Sequence, residues 1–151
     1  MKKFKFRLET LKRARKISQD LAQREYAEAQ KKVRDQMALI QGMYTQIDKS
    51  REKSELIQLE GGQCRDELIV IEEFINAQKI KILNARSVAR ELMQIAEECL
   101  DVLTIKTQEY KIIEKLKEKQ TEEYRKEKNK KQAKEIDDLV ITRYLYKDKV
   151  I

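Results

Sequence analysis

The side chains that usually carry chemistry are scarce in this sequence and poorly spaced for it. There is no histidine, which removes the commonest general base and metal ligand. Cys64 and Cys99 stand alone, so they form neither a zinc-binding cluster nor a disulfide framework. The Gly61-Gly62 pair reads as a turn and not as a phosphate-cradling loop. Paired carboxylates occur at Glu72-Glu73 and Glu97-Glu98, but acid–base work needs a concave pocket that shifts one carboxyl against the other. The expected function is therefore non-enzymatic, with no cofactor and no metal. Recognition is the chemistry that remains. Phe74 is the residue to single out, because an aromatic beside a helical seam is either a half-exposed packing residue or a partner-binding anchor. Met43, Tyr44 and Ile47 are expected near it as one apolar patch.

The elements that must carry such surfaces follow from composition. The 151 residues include no proline and only three glycines, and 40% of them are charged. Nothing in the covalent chain interrupts helices except the diglycine, whose propensity cost is about 2 kcal/mol and which permits a left-handed cap. The spacing predicts a first helix over about 4–58, a turn near 59–64 and a second helix over about 65–141, in one coiled-coil domain spanning 1–151. Residues 142–151 are expected as a tail that frays, folds back or binds, since DLVITRYLY is β-branched and aromatic.

In the second helix one set of positions seven apart runs Leu68, Ile75, Ile82, Ala89, Ala96, Leu103, Tyr110, Lys117, Tyr124. The interleaved set runs Ile71, Gln78, Ala85, Leu92, Cys99, Lys106, Ile113, Gln120. That is a heptad stripe, the signature of a left-handed coiled coil, with Gln78 and Lys106 expected to set register. Cys99 falls on the stripe as a small hydrophobe, and Cys64 is expected as a surface cysteine beside the turn. The first helix is read by 3–4 spacing as Phe4, Leu8, Leu11, Ala14, Ser18, Ala22, Ala29, Val33, Met37, Ile40, Met43, Ile47. A short connection makes the helices antiparallel neighbours. The fold class is all-α, an antiparallel coiled-coil hairpin whose second helix overhangs the first. If the turn centres near Gly61-Gly62, Phe4 lies opposite residue 119, and everything beyond about 120 lacks a partner.

Charge is unevenly spread. Residues 1–34 hold twelve Lys/Arg and four Asp/Glu, residues 50–101 seven and eleven, and residues 111–151 thirteen and nine. No segment approaches the roughly 18 apolar residues of a membrane span, and the basic N-terminus lacks a signal-peptide core. The cysteine usage suits a reduced, cytoplasmic protein.

Three stretches carry a resemblance. The opening FKFRLETLKRAR, the segment DELIVIEEFINAQ after the glycines, and IIEKLKEKQTEEYRKEKNKKQAKEIDD near the end together resemble the FliJ-type flagellar export proteins. The resemblance implies a cytoplasmic stalk, peripherally associated with the inner-membrane export apparatus of type III secretion. It also implies insertion into a hexameric export ATPase, promotion of its assembly and hydrolysis, and contact with the export gate and export chaperones. Phe74 matches a phenylalanine of the family's gate-binding patch; Met43 and Tyr44 fall near others. Ala85 also falls near that patch, while Gln78 and Lys81 stand at contact positions with polar side chains. The basic end that joins both termini is expected to face the ATPase, through Phe4, Arg7, Leu8, Leu11, Arg15, Leu116 and Lys119, because a basic surface suits an acidic ring lumen.

Rival readings follow from the same features. A stalk of a virulence-type secretion system shares the architecture. A nucleic-acid-binding coiled coil draws on the basic N-terminus, although Glu9, Asp20, Glu25 and Glu28 interrupt it and no single-strand reading pattern appears. A homodimeric coiled coil is disfavoured by Lys106, Lys117 and Gln120 on the seam, so the chain is expected as a monomer without nucleic acid.

Overall fold

The computed structural model describes residues 2–61 and 64–149. The fold is an all-α helical hairpin built from α1, Glu9–Glu60, and α2, Arg65–Asp148. α1 ends where Gly61 takes a φ of 67°, the left-handed conformation that a C-terminal cap requires and that glycine adopts without strain. Gly62 and Gln63, the rest of the expected turn, lie outside the described residues. α2 opens with the Leu68 amide donating to the Cys64 carbonyl at 3.1 Å, so Cys64 occupies the N-cap. Asp66 and Glu67 in the first turn complement the helix dipole.

Both ends of the hairpin differ from the sequence expectation. Residues 2–8 are not helical, and α1 starts five residues later than the spacing suggested, with the Lys12 amide bonded to the Leu8 carbonyl at 2.8 Å. The reason is visible in Phe4-Lys5-Phe6-Arg7-Leu8, whose apolar–polar alternation favours extended chain. At the other end α2 continues through the β-branched, aromatic stretch to Asp148. No proline or glycine breaks it, and β-propensity is weak where no neighbouring strand exists to satisfy it.

The chain divides into two compact units. Unit 1 comprises Met1–Gln19 with Ile105–Ile151, and unit 2 comprises Asp20–Thr104. In unit 2 the core is a cluster of Ile40 and Ile47 from α1 with Ile82, Ala85 and Ala89 from α2, against which Met43, Tyr44 and Ile75 pack. Ala22 and Ala29 are buried further along α1. One polar layer interrupts the apolar ones: Gln78 is 7% exposed and donates from Nε2 to Gln46 Oε1 at 2.9 Å. Gln36 Nε2 donates to the Ala85 carbonyl at 3.0 Å, which helps fix the register.

Unit 1 is closed differently. Among its described residues the buried apolar side chains are Phe6 and Ile113. Polar contacts supply the rest. Lys117 Nζ sits 2.8 Å from Glu9 Oε2 and over the Phe6 ring. Arg15 meets Glu109 at 3.6 Å, Gln19 donates to Thr107 at 3.2 Å, and Lys16 lies over Tyr110. The pairing reaches Tyr124, beyond the expected limit near 120. Its hydroxyl donates to the Lys2 carbonyl at 2.6 Å and its ring lies 5.6 Å from Phe4. The non-helical start of the chain accounts for this, since a segment outside a helix can cover up to about 3.3 Å per residue where a helix covers 1.5 Å.

Candidate functional site

Every seam position read in α2, from Leu68 to Tyr124, is buried or half-buried. In α1 the seam follows an equally regular heptad, which agrees with the reading by spacing at Ala22, Ala29, Val33, Ile40, Met43 and Ile47 and departs from it toward the start of the helix and at Met37. The half-buried positions include Lys12, Arg15, Gln19, Tyr26, Val33 and Gln36, while Leu8, Leu11, Ala14 and Met37 are exposed. Lys12 and Arg15 can occupy seam positions because their aliphatic stems cover apolar surface while their charged heads reach water. The consequence is functional: leucines that were expected to seal the pair are free at the surface instead.

The residues of the expected gate-binding patch are placed in three ways. Ile47 is 3% exposed and belongs to the core of unit 2. Met43 and Tyr44 are half-buried against that core. The Tyr44 hydroxyl accepts a hydrogen bond from Arg86 Nη2, and the guanidinium also lies over the Tyr44 ring. Phe74 is 42% exposed and Val70, one turn earlier, 63%; Ile69 and Ile80, at 43% and 61%, are further exposed apolar side chains of α2 in this region. A partner can therefore reach Phe74 and Val70 directly, the edges of Met43 and Tyr44 in part, and Ile47 not at all without opening the helix pair.

The residues expected at the basic end all belong to unit 1. Phe4 is half-buried against Tyr124, and Arg15 is half-buried through its ion pair with Glu109. Arg7 and Lys119 are exposed, as are Leu8, Leu11 and Leu116, at 39%, 41% and 37%. The unit holds 22 Lys/Arg against 11 Asp/Glu, a net +11, whereas unit 2 holds 12 against 16, a net −4. Unit 1 thus presents leucines within a strongly basic field. The Lys117 ammonium bonded to Glu9 holds that carboxyl below the usual glutamate range, against the opposing effect of desolvation.

Sequence reasoning missed Phe6, and it missed the partners of Tyr124 and Lys117, among the side chains that close unit 1. The alternation around Phe6 was the available signal. Tyr124 and Lys117 stood on the stripe, but their partners became readable only once residues 2–8 were known not to be helical. A further surface lies past Tyr124, where residues 125–149 are exposed throughout. Ile136, Leu139, Val140, Ile141, Tyr144, Leu145 and Tyr146 there are between 52% and 71% exposed. Cys64 and Cys99 are free thiols, both half-buried. Among the described residues no helix is long and apolar enough to cross a membrane.

A comparison with protein-family models matches residues 4–149 to the family described as "Flagellar FliJ protein". Searches of curated proteins and of solved structures find no match.

Proposed function

The chain belongs to the flagellar FliJ family, which makes it a flagellar export-related protein, and on that premise we propose that it is a non-enzymatic stalk of the type III export apparatus. In this reading the basic unit, which contains both termini, inserts into the hexameric export ATPase, promotes assembly of the ring and raises its hydrolysis rate. The unit that contains the turn contacts the membrane-embedded export gate, and the chain also handles export chaperones. It works in the cytoplasm, peripherally associated with the inner-membrane apparatus.

The observation that carries the ATPase half is the division of charge, +11 in unit 1 against −4 in unit 2. Charge complementarity of that size speeds encounter and orients the approach more than it sets affinity. Affinity would come from the apolar side chains exposed in the same unit, Leu8, Leu11 and Leu116. For the gate half, Phe74 is the anchor supported by exposure, and Met43 and Tyr44, half-buried against the core of the same unit, are the further candidates.

The test is co-purification with a candidate export ATPase, with hydrolysis and hexamer content measured with and without this chain. The expected result is a higher rate and more hexamer, weakening as salt rises. No change in either quantity removes the stalk reading. Phe74→Ala should weaken binding to the gate's cytoplasmic part about tenfold while helicity and ATPase stimulation stay unchanged. Unaltered gate affinity would discard Phe74 as the anchor.

A further inference from the structure

The last 24 residues of α2, 125–148, are exposed on every side and have two contrasting halves. Residues 125–134 contain six Lys/Arg and one acidic residue, a net +5 within ten residues. Their charges point to all sides of a fully exposed helix. Residues 136–146 then place seven large apolar side chains around the helix, every one more than half exposed. A helix that is apolar on nearly every side is normally buried. Here it follows directly on a basic collar and carries two tyrosines, Tyr144 and Tyr146, whose rings combine an apolar body with a polar tip.

We propose that residues 125–148 form an anionic-membrane-binding element, with the apolar end seated at the boundary of headgroups and acyl chains and the basic collar held among anionic headgroups. Charge complementarity selects this occupant. Clustered lysines attract anionic lipid, each adding about fivefold in affinity near the surface. Apolar and aromatic side chains supply the burial that a polybasic run alone lacks. Arg143 and Lys147 lie on the same helical face as Ile136 and Val140, and their long stems let them reach headgroups from a seated position. Asp137 and Asp138 mark the junction of the two halves, where they can remain in water. The 13 residues from 136 to 148 span about 20 Å as a helix, enough to lie in the interface and too short to cross the hydrocarbon core. A second copy of the chain fits less well, since parallel pairing of this end would set one +5 collar against another. The element lies in unit 1 and supplies part of its positive charge, so the proposal takes residues 125–148 out of the ATPase contact, but it uses none of the leucines named for that contact, Leu8, Leu11 and Leu116.

The experiment is co-sedimentation of the full chain with vesicles of phosphatidylcholine alone and with added phosphatidylglycerol, at low and physiological salt. Binding is expected only with phosphatidylglycerol, and it should decline as salt rises. Replacing Lys128, Lys130, Lys131 and Lys134 by Gln should reduce affinity at least about 50-fold. Val140→Glu with Tyr144→Glu should reduce it at least about tenfold, with helicity unchanged by circular dichroism because both side chains are already exposed. Failure to bind anionic vesicles overturns the proposal, as does equal binding by the Val140→Glu, Tyr144→Glu chain. A doubled mass in light scattering, abolished by those two changes and unaccompanied by vesicle binding, would instead identify the end as a contact between copies. None of these outcomes bears on ATPase stimulation, which is measured without vesicles.

Discussion

Units 1 and 2 are built from the same two helices and the same seven-residue repeat, yet their seams hold by different chemistry. Unit 2 buries isoleucine and alanine layers and admits one glutamine pair. Unit 1 buries Phe6 and Ile113 and fills its remaining seam with Lys117, Lys106, Arg15 and Gln19, each bonded or stacked. Apolar burial is worth about 25 cal/mol per Å² whatever surrounds it. Exposed ion pairs are worth little and weaken with salt. The difference teaches a division of labour. Unit 2 can hold its helix pair closed by its own core. Unit 1 gives up part of that self-sufficiency and keeps leucines and positive charge at the surface, where a partner can use them.

The largest test of this contrast is a cavity in each core. Ile82→Ala removes a side chain that is 4% exposed from the centre of unit 2, and should cost about 3 kcal/mol. Ile113→Ala, made at a site 5% exposed in unit 1, should cost less, about 2 kcal/mol, because fewer apolar neighbours surround it and the ends can relax. Hydrogen exchange read by segment checks both: Ile82→Ala should release protection in 36–47 and 78–89, and Ile113→Ala in 9–19 and 105–117. Equal losses, or losses spread evenly over both units, would break the comparison.

A smaller effect of opposite sign sharpens it. Gln78 is buried with its Oε1 lacking a hydrogen-bond partner. Gln78→Leu removes that unsatisfied group, and the exposed Gln46 can return to water. Unit 2 should gain about 1 kcal/mol, measured by urea denaturation. The gain carries a loss of specificity, since a lone polar layer fixes register and discourages alternative pairing. Light scattering of the Gln78→Leu chain should therefore detect self-association that the parent lacks. A stability loss would mean that the Gln78–Gln46 bond outweighs the buried orphan oxygen.

The α2 seam was legible to the residue because apolar side chains recur at its heptad positions with few interruptions. The all-α hairpin and its turn at Gly61 followed from the absence of proline and the position of the glycines. The α1 seam was legible from Ala22 to Ile47 except at Met37, and was misread before Ser18. Reading by apolar identity selected Leu11, Ala14 and Met37, whereas the register imposed by α2 turns Lys12, Arg15 and Gln36 inward. A two-helix pair buries only a narrow stripe, so long polar side chains satisfy it as readily as leucine, and composition loses its authority. For the candidate surfaces, Phe74 could be singled out because an aromatic beside a seam has nowhere to hide. Ile47 could not be excluded until the core placed it inside. The non-helical arm was the costliest omission, since shifting Phe4 and Phe6 relative to α2 changes which basic and aromatic side chains meet in unit 1.

The smallest expected effect concerns acid, and it separates the two units by sign and by place. Glu9 accepts a hydrogen bond from Lys117, which lowers its carboxyl pKa in the folded chain relative to the unfolded one. A lowered folded value means that the stabilising contribution is complete above the unfolded pKa, about 4.3 for glutamate, and is lost as pH falls through the folded value. Mild acid should therefore loosen unit 1 first, at the start of α1 and around Lys117, while the isoleucine core of unit 2 is untouched by that titration. Exchange protection measured across this window should fall in residues 9–19 of the parent chain, and Glu9→Gln should make it nearly flat there, at a lower level already present at neutral pH. Added salt should mimic the substitution, because the pair is solvent-exposed and screened. If Glu9→Gln leaves the pH profile of that segment unchanged, the ion pair contributes nothing to closing unit 1. Phe6, Ile113 and the Phe4–Tyr124 contact would then have to hold it alone.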